Sequence, residues 1–322
     1  MNVPARLLVL LACLLGIGTE AGAQSYPNRA VRLVVPFAPG GAPDVVARLV
    51  GQHLSIQTGQ SFIIDNKPGG GGVIGVQAVA EAPPDGYTLL VTSSSFVINP
   101  AFHKTLPFDV IRDFEPVTNV CAVDGFILGV NPKVPAQNVQ ELIALAKTPK
   151  AVAFSTPGNG NVLHLAAELF QVRTGTKMVH VPYRSGPQMV NAVIAGDVQM
   201  AFFLPHTSVS FIETGKIRAL GYGAPQRYPG LPNVPTLREA GVANMELGSW
   251  TGLMAPAKTP APILAKLHEE VKKMLAIPEV RDKLIAVGFR PIGDSPAEFK
   301  PFVAAQVARI KEIARAAGLE PE

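Results

Sequence analysis

Apolar residues fall in two patterns along this chain. Short, mostly apolar runs stand at 31–35, 62–65 and 88–92, which read as strands. Between them the apolar positions recur every three or four residues: Val45, Val46, Leu49, Val50, His53 and Leu54 share one helical face, and residues 73–80 repeat the pattern. Turn formers separate the two kinds of run: Asn66-Lys67-Pro68 with the glycines 69–72, then Pro84-Asp85-Gly86. The order strand, helix, strand, helix, strand predicts a parallel sheet covered by helices.

A second alternating set follows. Strands are predicted at 126–130, 152–154, 178–181, 198–202 and 217–222, with helices at 162–173 and 187–195 between them. Asn138 with Glu141 forms a capping box opening a helix to 146. The proline-rich stretch 225–235 reads as a loop. The last third is mostly helical. Thr259 is expected to cap a helix with Pro260 at its first position, and Ser295-Pro296-Ala297-Glu298 is a second capping box opening a final helix to about 317. Crossings between the two sets are expected near 121–130 and 247–255. Residues 24–123 with 246–322 would then build one lobe, and residues 124–245 the other. The expected fold class is α/β, a two-lobed clamshell in which each lobe is a mostly parallel sheet flanked by helices.

Two segments of the chain share one build. Residues 31–48 (VRLVVPFAPGGAPDVVAR) and 152–170 (VAFSTPGNGNVLHLAAELF) each run from an apolar strand through a Gly/Pro turn into a helix. Such a turn leaves backbone N–H groups free to meet an anion. Two of them in separate α/β units suggest two jaws closing on a small acidic ligand.

Composition narrows the function further. At 322 residues, 48% hydrophobic and 16% charged, the chain can bury two ordinary cores. Its net charge of +4 is scattered, with no basic run interleaved with aromatics, which argues against nucleic acid. Six His without paired spacing leave no metal site, and no cofactor motif is present. Residues 1–23 have the build of a signal peptide: Arg6, the apolar run 7–15, and Ala21-Gly22-Ala23 before Gln24. Leu10-Leu11-Ala12-Cys13 resembles a lipobox, but the apolar run continues past it. The expected location is the periplasm. Cys121 is then the one cysteine of the mature chain and sits in an apolar context, as a buried inert thiol would.

Further motifs carry a resemblance to a known family. They are Pro36-Phe37-Ala38-Pro39-Gly40-Gly41 with Asp44 and Arg48; Asn66-Lys67-Pro68 through Gly75; Pro84-Asp85-Gly86-Tyr87-Thr88; the turn 157–161 with His164; Val181-Pro182-Tyr183; Pro232–Pro235 with Glu239-Ala240-Gly241; and Ser249-Trp250-Thr251-Gly252-Leu253. In this order the chain resembles, over residues 26–318, the periplasmic substrate-binding proteins of tripartite tricarboxylate transporters, the Bug-type receptors. The resemblance implies a ligand carboxylate held by backbone groups and ordered water between the turns 37–41 and 155–161. It also implies a non-enzymatic, monomeric receptor that delivers a small carboxylate to membrane permease subunits. A sensor kinase as the receiving partner is an open alternative. An exported esterase is a second one, though no G-x-S-x-G elbow is present.

The candidate binding residues follow from the motifs. In the first turn they are Phe37, Ala38, Gly40 and Gly41, with Asp44 as cap or brace. Ser93 and Ser94 stand at a strand end, where open α/β sheets present ligands. In the second turn they are Ser155, Thr156, Gly158, Asn159, Gly160 and Asn161, although Pro157 removes one donor there. Tyr183, beside Arg184, and Phe203 complete the set. Phe203, followed by Leu204, would favour a ligand with an apolar part. Gly41 and Gly160 are expected either to admit the carboxylate to the backbone or to hold positive φ. The glycines 69–72 read as a structural turn, and His164 as an inter-element hydrogen bonder rather than a ligand contact.

Overall fold

Backbone pairing sorts the strands into two sheets. The computed structural model describes residues 26–150 and 152–316; the expected leader 1–23 and the new N-terminus at Gln24 lie outside the described residues. The first part of the chain runs β1 (Val31–Val35), α1 (Ala42–Thr58), β2 (Phe62–Asn66), α2 (Val73–Ala80), β3 (Thr88–Ser93), α3 (Ser95–Phe102) and β4 (Phe114–Val123). β1 lies between β2 and β3, parallel to both, as the alternating pattern requires. Val46, Ala47, Val50 and Leu54 of α1 are wholly buried over these strands. Gly59, with φ of 69°, ends the helix by donating to Ser55 O.

The middle of the chain builds the second sheet. It contains β5 (Ile127–Val130), α4 (Val139–Ala146), β6 (Ala153–Thr156), α5 (Val162–Thr174), β7 (Val179–Pro182), α6 (Gly186–Ala195), β8 (Met200–Phe203), α7 (Pro205–Glu213) and β9 (Arg218–Tyr222). The Asn138–Glu141 box opens α4: Asn138 Oδ1 accepts from Glu141 N, and Glu141 reaches back to Gln137 N. The chain then returns as β10 (Ser249–Pro256), α8 (Ala261–Ala276), α9 (Pro278–Ala286), β11 (Arg290–Pro291) and α10 (Pro296–Ala316). Ser295 and Glu298 form the second box at the start of α10.

The sheet orders are β11-β4-β10-β3-β1-β2 and β7-β6-β8-β5-β9. Both sheets are mixed rather than mostly parallel. β10 pairs antiparallel with β3 and β4, and β5 pairs antiparallel with β8 and β9. The cause is the crossing itself: a strand that arrives from the other sheet has no crossover helix to return it to the parallel direction. The crossings run side by side at three glycines. A Cβ on Gly125 would stand 2.7 Å from Gly223 C, and one on Gly248 would stand 2.4 Å from Val123 O. Gly223 N donates to Phe126 O and Leu247 N to Gly223 O, which ties the crossings together.

Three helices escape the sequence reading. α3 follows the serine cluster and contains Pro100, both of which read as turn. α7 opens on Pro-His-Thr-Ser, and α9 continues directly from α8 past Ile277. The expected cap at Thr259 is also absent. Its hydroxyl turns back to Pro256 O at 2.8 Å, and Pro260 takes the N-cap position.

Candidate functional site

The turn after β1 is built around a buried carboxylate. Asp44 is 3% exposed. Its Oδ2 accepts from Gly40 N at 2.9 Å and Arg48 Nε at 3.1 Å; its Oδ1 accepts from Arg48 Nη2 at 3.0 Å and Asn66 Nδ2 at 2.9 Å. Burial alone would raise the Asp44 pKa, but these hydrogen bonds hold it below the ordinary carboxylate range. Asn66 Nδ2 also holds Phe37 O, at 3.0 Å. Asp44 thus braces the turn from behind and does not line the cavity. Gly40 needs its φ of 87° for this turn, whereas Gly41, the N-cap of α1, has an ordinary φ of −79°. Among the described residues, Gly41 N and Ala42 N have no acceptor within the chain.

The turn after β6 uses its helix end differently. Asn161 Oδ1 accepts from Leu163 N, His164 N donates to Asn161 O, and Val162 N donates to Ser95 Oγ of α3 at 3.2 Å. The first N–H groups of α5 are therefore occupied. The donors without an intrachain acceptor are those of the turn itself, Asn159 N and Gly160 N, among the described residues. Thr156 is fully buried, its Oγ1 bonded to His180 Nε2 at 2.6 Å, and Ser155 Oγ donates to Met189 O. The sequence reading gave both helix starts the same role; capping by Asn161 makes them unequal.

A third glycine turn joins the first two. Gly69, Gly70, Gly71 and Gly72 all have positive φ, and a Cβ on Gly71 would lie 2.2 Å from Asn159 O of the second turn. The three turns enclose a cavity of ≈ 600 Å³ between the sheets. Gly69–Gly72 form part of its wall, and their four positive φ values fit the structural turn the sequence reading expected.

Of the expected residues, Phe37, Ala38, Gly41, Ser93, Gly158, Asn159, Asn161 and Tyr183 line the cavity. Gly40, Asp44, Ser94, Ser155, Thr156 and Gly160 stand behind it and shape those that do. Ser94 Oγ pairs with Ser249 Oγ at 2.8 Å, and Gly160 abuts Asn99 and His103. Phe203 is misplaced by the sequence reading. It is 0% exposed and packs on Gly129 inside the second sheet, while Leu204, one residue on, lines the cavity. A step of one residue along extended chain exchanges faces, and the sequence does not say which residue faces which way.

Sequence reasoning named Leu204 only beside Phe203, and it missed Ser249, Thr251 and His103 as lining residues. Ser249 and Thr251 alternate along β10 and pointed to one face; His103 had no signal, because α3 was unseen. Arg184 lines the cavity beside Tyr183 and has no acidic partner among the described residues. Among the described residues, no Asp or Glu lines it. His164 lies outside the cavity, stacked on His180 with ring centroids 4.0 Å apart. Cys121 is fully buried, and burial pushes its thiol up to about 12.

Residues 46–319 match the tripartite tricarboxylate transporter family receptor (TctC). The chain is 34% identical to protein BugT of Bordetella pertussis, over 99% of each chain. Among solved structures it resembles Rpa4515 of R. palustris with adipate, at 34% identity and a TM-score of 0.88, covering 92% of this chain and 100% of that one. It also resembles MatC of Rhodopseudomonas palustris with bound malate, at 30% identity and a TM-score of 0.85, covering 90% and 100%.

Proposed function

Because the chain belongs to the tripartite tricarboxylate transporter receptor family, we propose that it is an exported receptor that captures a small carboxylated organic acid between its lobes without converting it. The observation that carries this reading is the wall of the cavity. Turns from both sheets line it with backbone N–H groups lacking an intrachain acceptor, Gly41 and Ala42 in one and Asn159 in the other; Arg184 supplies a guanidinium, and among the described residues no acidic side chain lines it. Each helix-end or turn contact contributes only about 0.3–2 kcal/mol, so capture requires several to converge, as they do here. Ordered water can complete the shell at little cost in affinity, which lets one cleft accept related acids.

In this reading Phe37, Ala38, Gly41, Gly158, Asn159 and Asn161 hold the carboxylate, with Tyr183 and Arg184 beside it. The lobes are residues 24–123 with 246–322, and residues 124–245, turning on the glycine-lined crossings. The loaded, monomeric receptor works in the periplasm and hands its ligand to membrane permease subunits. The malate and adipate seen with related receptors support a carboxylate as ligand. The test is titration calorimetry of the purified mature chain against mono- and dicarboxylic acids. Binding near micromolar or tighter, about −8 kcal/mol, is expected for at least one. A flat response to every acid would overturn the reading.

A further inference from the structure

Three polar side chains of α3 follow one another along a single face, and only the first is paired. Ser95, Asn99 and His103 recur at intervals of four, from the first residue of the helix to the residue that caps its end. Ser95 Oγ accepts from Val162 N, at the start of α5. Asn99 is 0% exposed, yet its Oδ1 and its Nδ2 are both buried without a partner among the described residues. The Nε2 of His103 is likewise buried and unpaired.

The unpaired groups stand against the second turn. A Cβ on Gly160 would lie 2.9 Å from Asn99 Oδ1. A backbone nitrogen is about 2.5 Å from the Cβ of its own residue, so Gly160 N lies within roughly 5.4 Å of that oxygen. Gly160 is itself buried, and its N–H has no acceptor among the described residues. A buried donor and a buried acceptor thus stand near each other without a hydrogen bond between them. Buried amides are almost always paired, because an unpaired one forfeits its hydration for nothing. Asn99 therefore marks an arrangement that a small shift of the second turn would complete. The third turn meets the same oxygen, since a Cβ on Gly71 would lie 3.4 Å from Asn99 Oδ1.

We propose that Asn99 is a positioning residue for capture: when the ligand draws the second turn against α3, Gly160 N donates to Asn99 Oδ1 and holds that turn in place. The inference rests on the receptor reading above and adds to it the side chain that secures the bound state. Asn99 does not line the cavity, so it acts on the ligand only through the turn. The Ser95–Val162 bond is the first rung of this lock, and Asn99–Gly160 is the second. A bond that forms only after the ligand has entered slows release and leaves association unchanged.

The experiment compares wild type with Asn99→Leu, which keeps the shape of the side chain and removes its amide. The probe is whichever mono- or dicarboxylic acid wild type binds most tightly by calorimetry. Without ligand, urea should unfold the variant no more readily than wild type, because two unpaired buried groups are gone. With ligand, the variant should bind about tenfold more weakly, and stopped-flow should place the loss in faster release. A residue that only fills space would not move stability and affinity in opposite directions. A second measurement needs no variant: in wild type the Gly160 amide, followed by hydrogen exchange in NMR, should gain about tenfold protection or more at saturating acid. If the variant matches wild type in affinity and release rate, or if Gly160 exchanges as fast with ligand as without it, the lock is overturned and the receptor reading stands. If wild type binds no acid at all, the receptor reading fails and the lock fails with it.

Discussion

Gly41 and Gly160 occupy comparable places in the two turns but carry different constraints. Gly160 has φ of 71°, and a Cβ there would lie 2.9 Å from Asn99 Oδ1 and 3.4 Å from His103 Nε2. Asn99 is fully buried and has no room to withdraw. Gly41 has φ of −79°, and its nearest neighbour to a built Cβ is 3.7 Å away. Gly160→Ala should therefore lower the unfolding free energy by about 1–3 kcal/mol, through left-handed strain plus crowding. Gly41→Ala should stay within about 1 kcal/mol of wild type, since lost chain entropy in the unfolded state offsets a poorer N-cap. Its effect should appear in ligand affinity instead, because the new methyl stands on the cavity wall. Urea denaturation of both variants checks the contrast; equal losses would refute it. Of the two alternatives expected for these glycines, positive φ is realised at Gly160 and not at Gly41, because sequence marks a glycine without saying which dihedral it serves.

At the scale of elements, what was legible had a local cause. Capping boxes declare themselves by residue type and spacing, so the starts of α4 and α10 stand where Asn138–Glu141 and Ser295–Glu298 put them. Buried strands show as apolar runs, and the helix over residues 73–80 shows by its period. What was not legible depends on distant chain: the antiparallel joining of β10, the face that Phe203 takes, and the persistence of α3 through Pro100. Two partly buried histidines also owe their behaviour to packing between elements. His180 of β7 stacks on His164 of α5, and His206 of α7 packs on Phe289 with both ring nitrogens unpartnered. Burial lowers the pKa of each to about 4, helped at His180 by His164. The unfolded chain takes up these protons near pH 6.5, and the fold refuses them until about pH 4. Stability should thus fall as pH drops through that window and level off below it. His206→Phe removes one such group along with its unsatisfied nitrogens. It should raise stability more at pH 5 than at pH 8, by on the order of 1–2 kcal/mol at the lower pH. Denaturation curves at the two pH values check this, and an equal gain at both would assign the effect to packing alone.

Among the contacts between the two sheets' units, two kinds matter for capture. The crossings form one, where Gly125, Gly223 and Gly248 let backbones touch without side chains. The mouth of the cleft forms the other, where Val162 N donates to Ser95 Oγ, Gly40 meets Pro187, and Gly71 meets Asn159 O. A receptor that captures and releases must break the second set while keeping the first. Gly71 is where this can be tested, because a Cβ there would stand 2.2 Å from a backbone oxygen of the other sheet's turn. Backbone cannot swing aside as a side chain can, so Gly71→Ala should hold the turns apart. Gly70→Ala is the matched control. Its φ of 57° brings similar left-handed strain, but its Cβ meets only Val73 of its own turn, at 3.4 Å. Both variants should lose about 1–2 kcal/mol of stability from the strain. Gly71→Ala should weaken ligand capture by about tenfold or more, beyond any effect of a methyl on the wall at Gly70, and unlike Gly70→Ala it should keep a larger radius of gyration by small-angle scattering at saturating ligand. Equal affinity and equal dimensions in the two variants would mean that the Gly71–Asn159 approach plays no part in closure, and that capture is governed by the cavity wall alone.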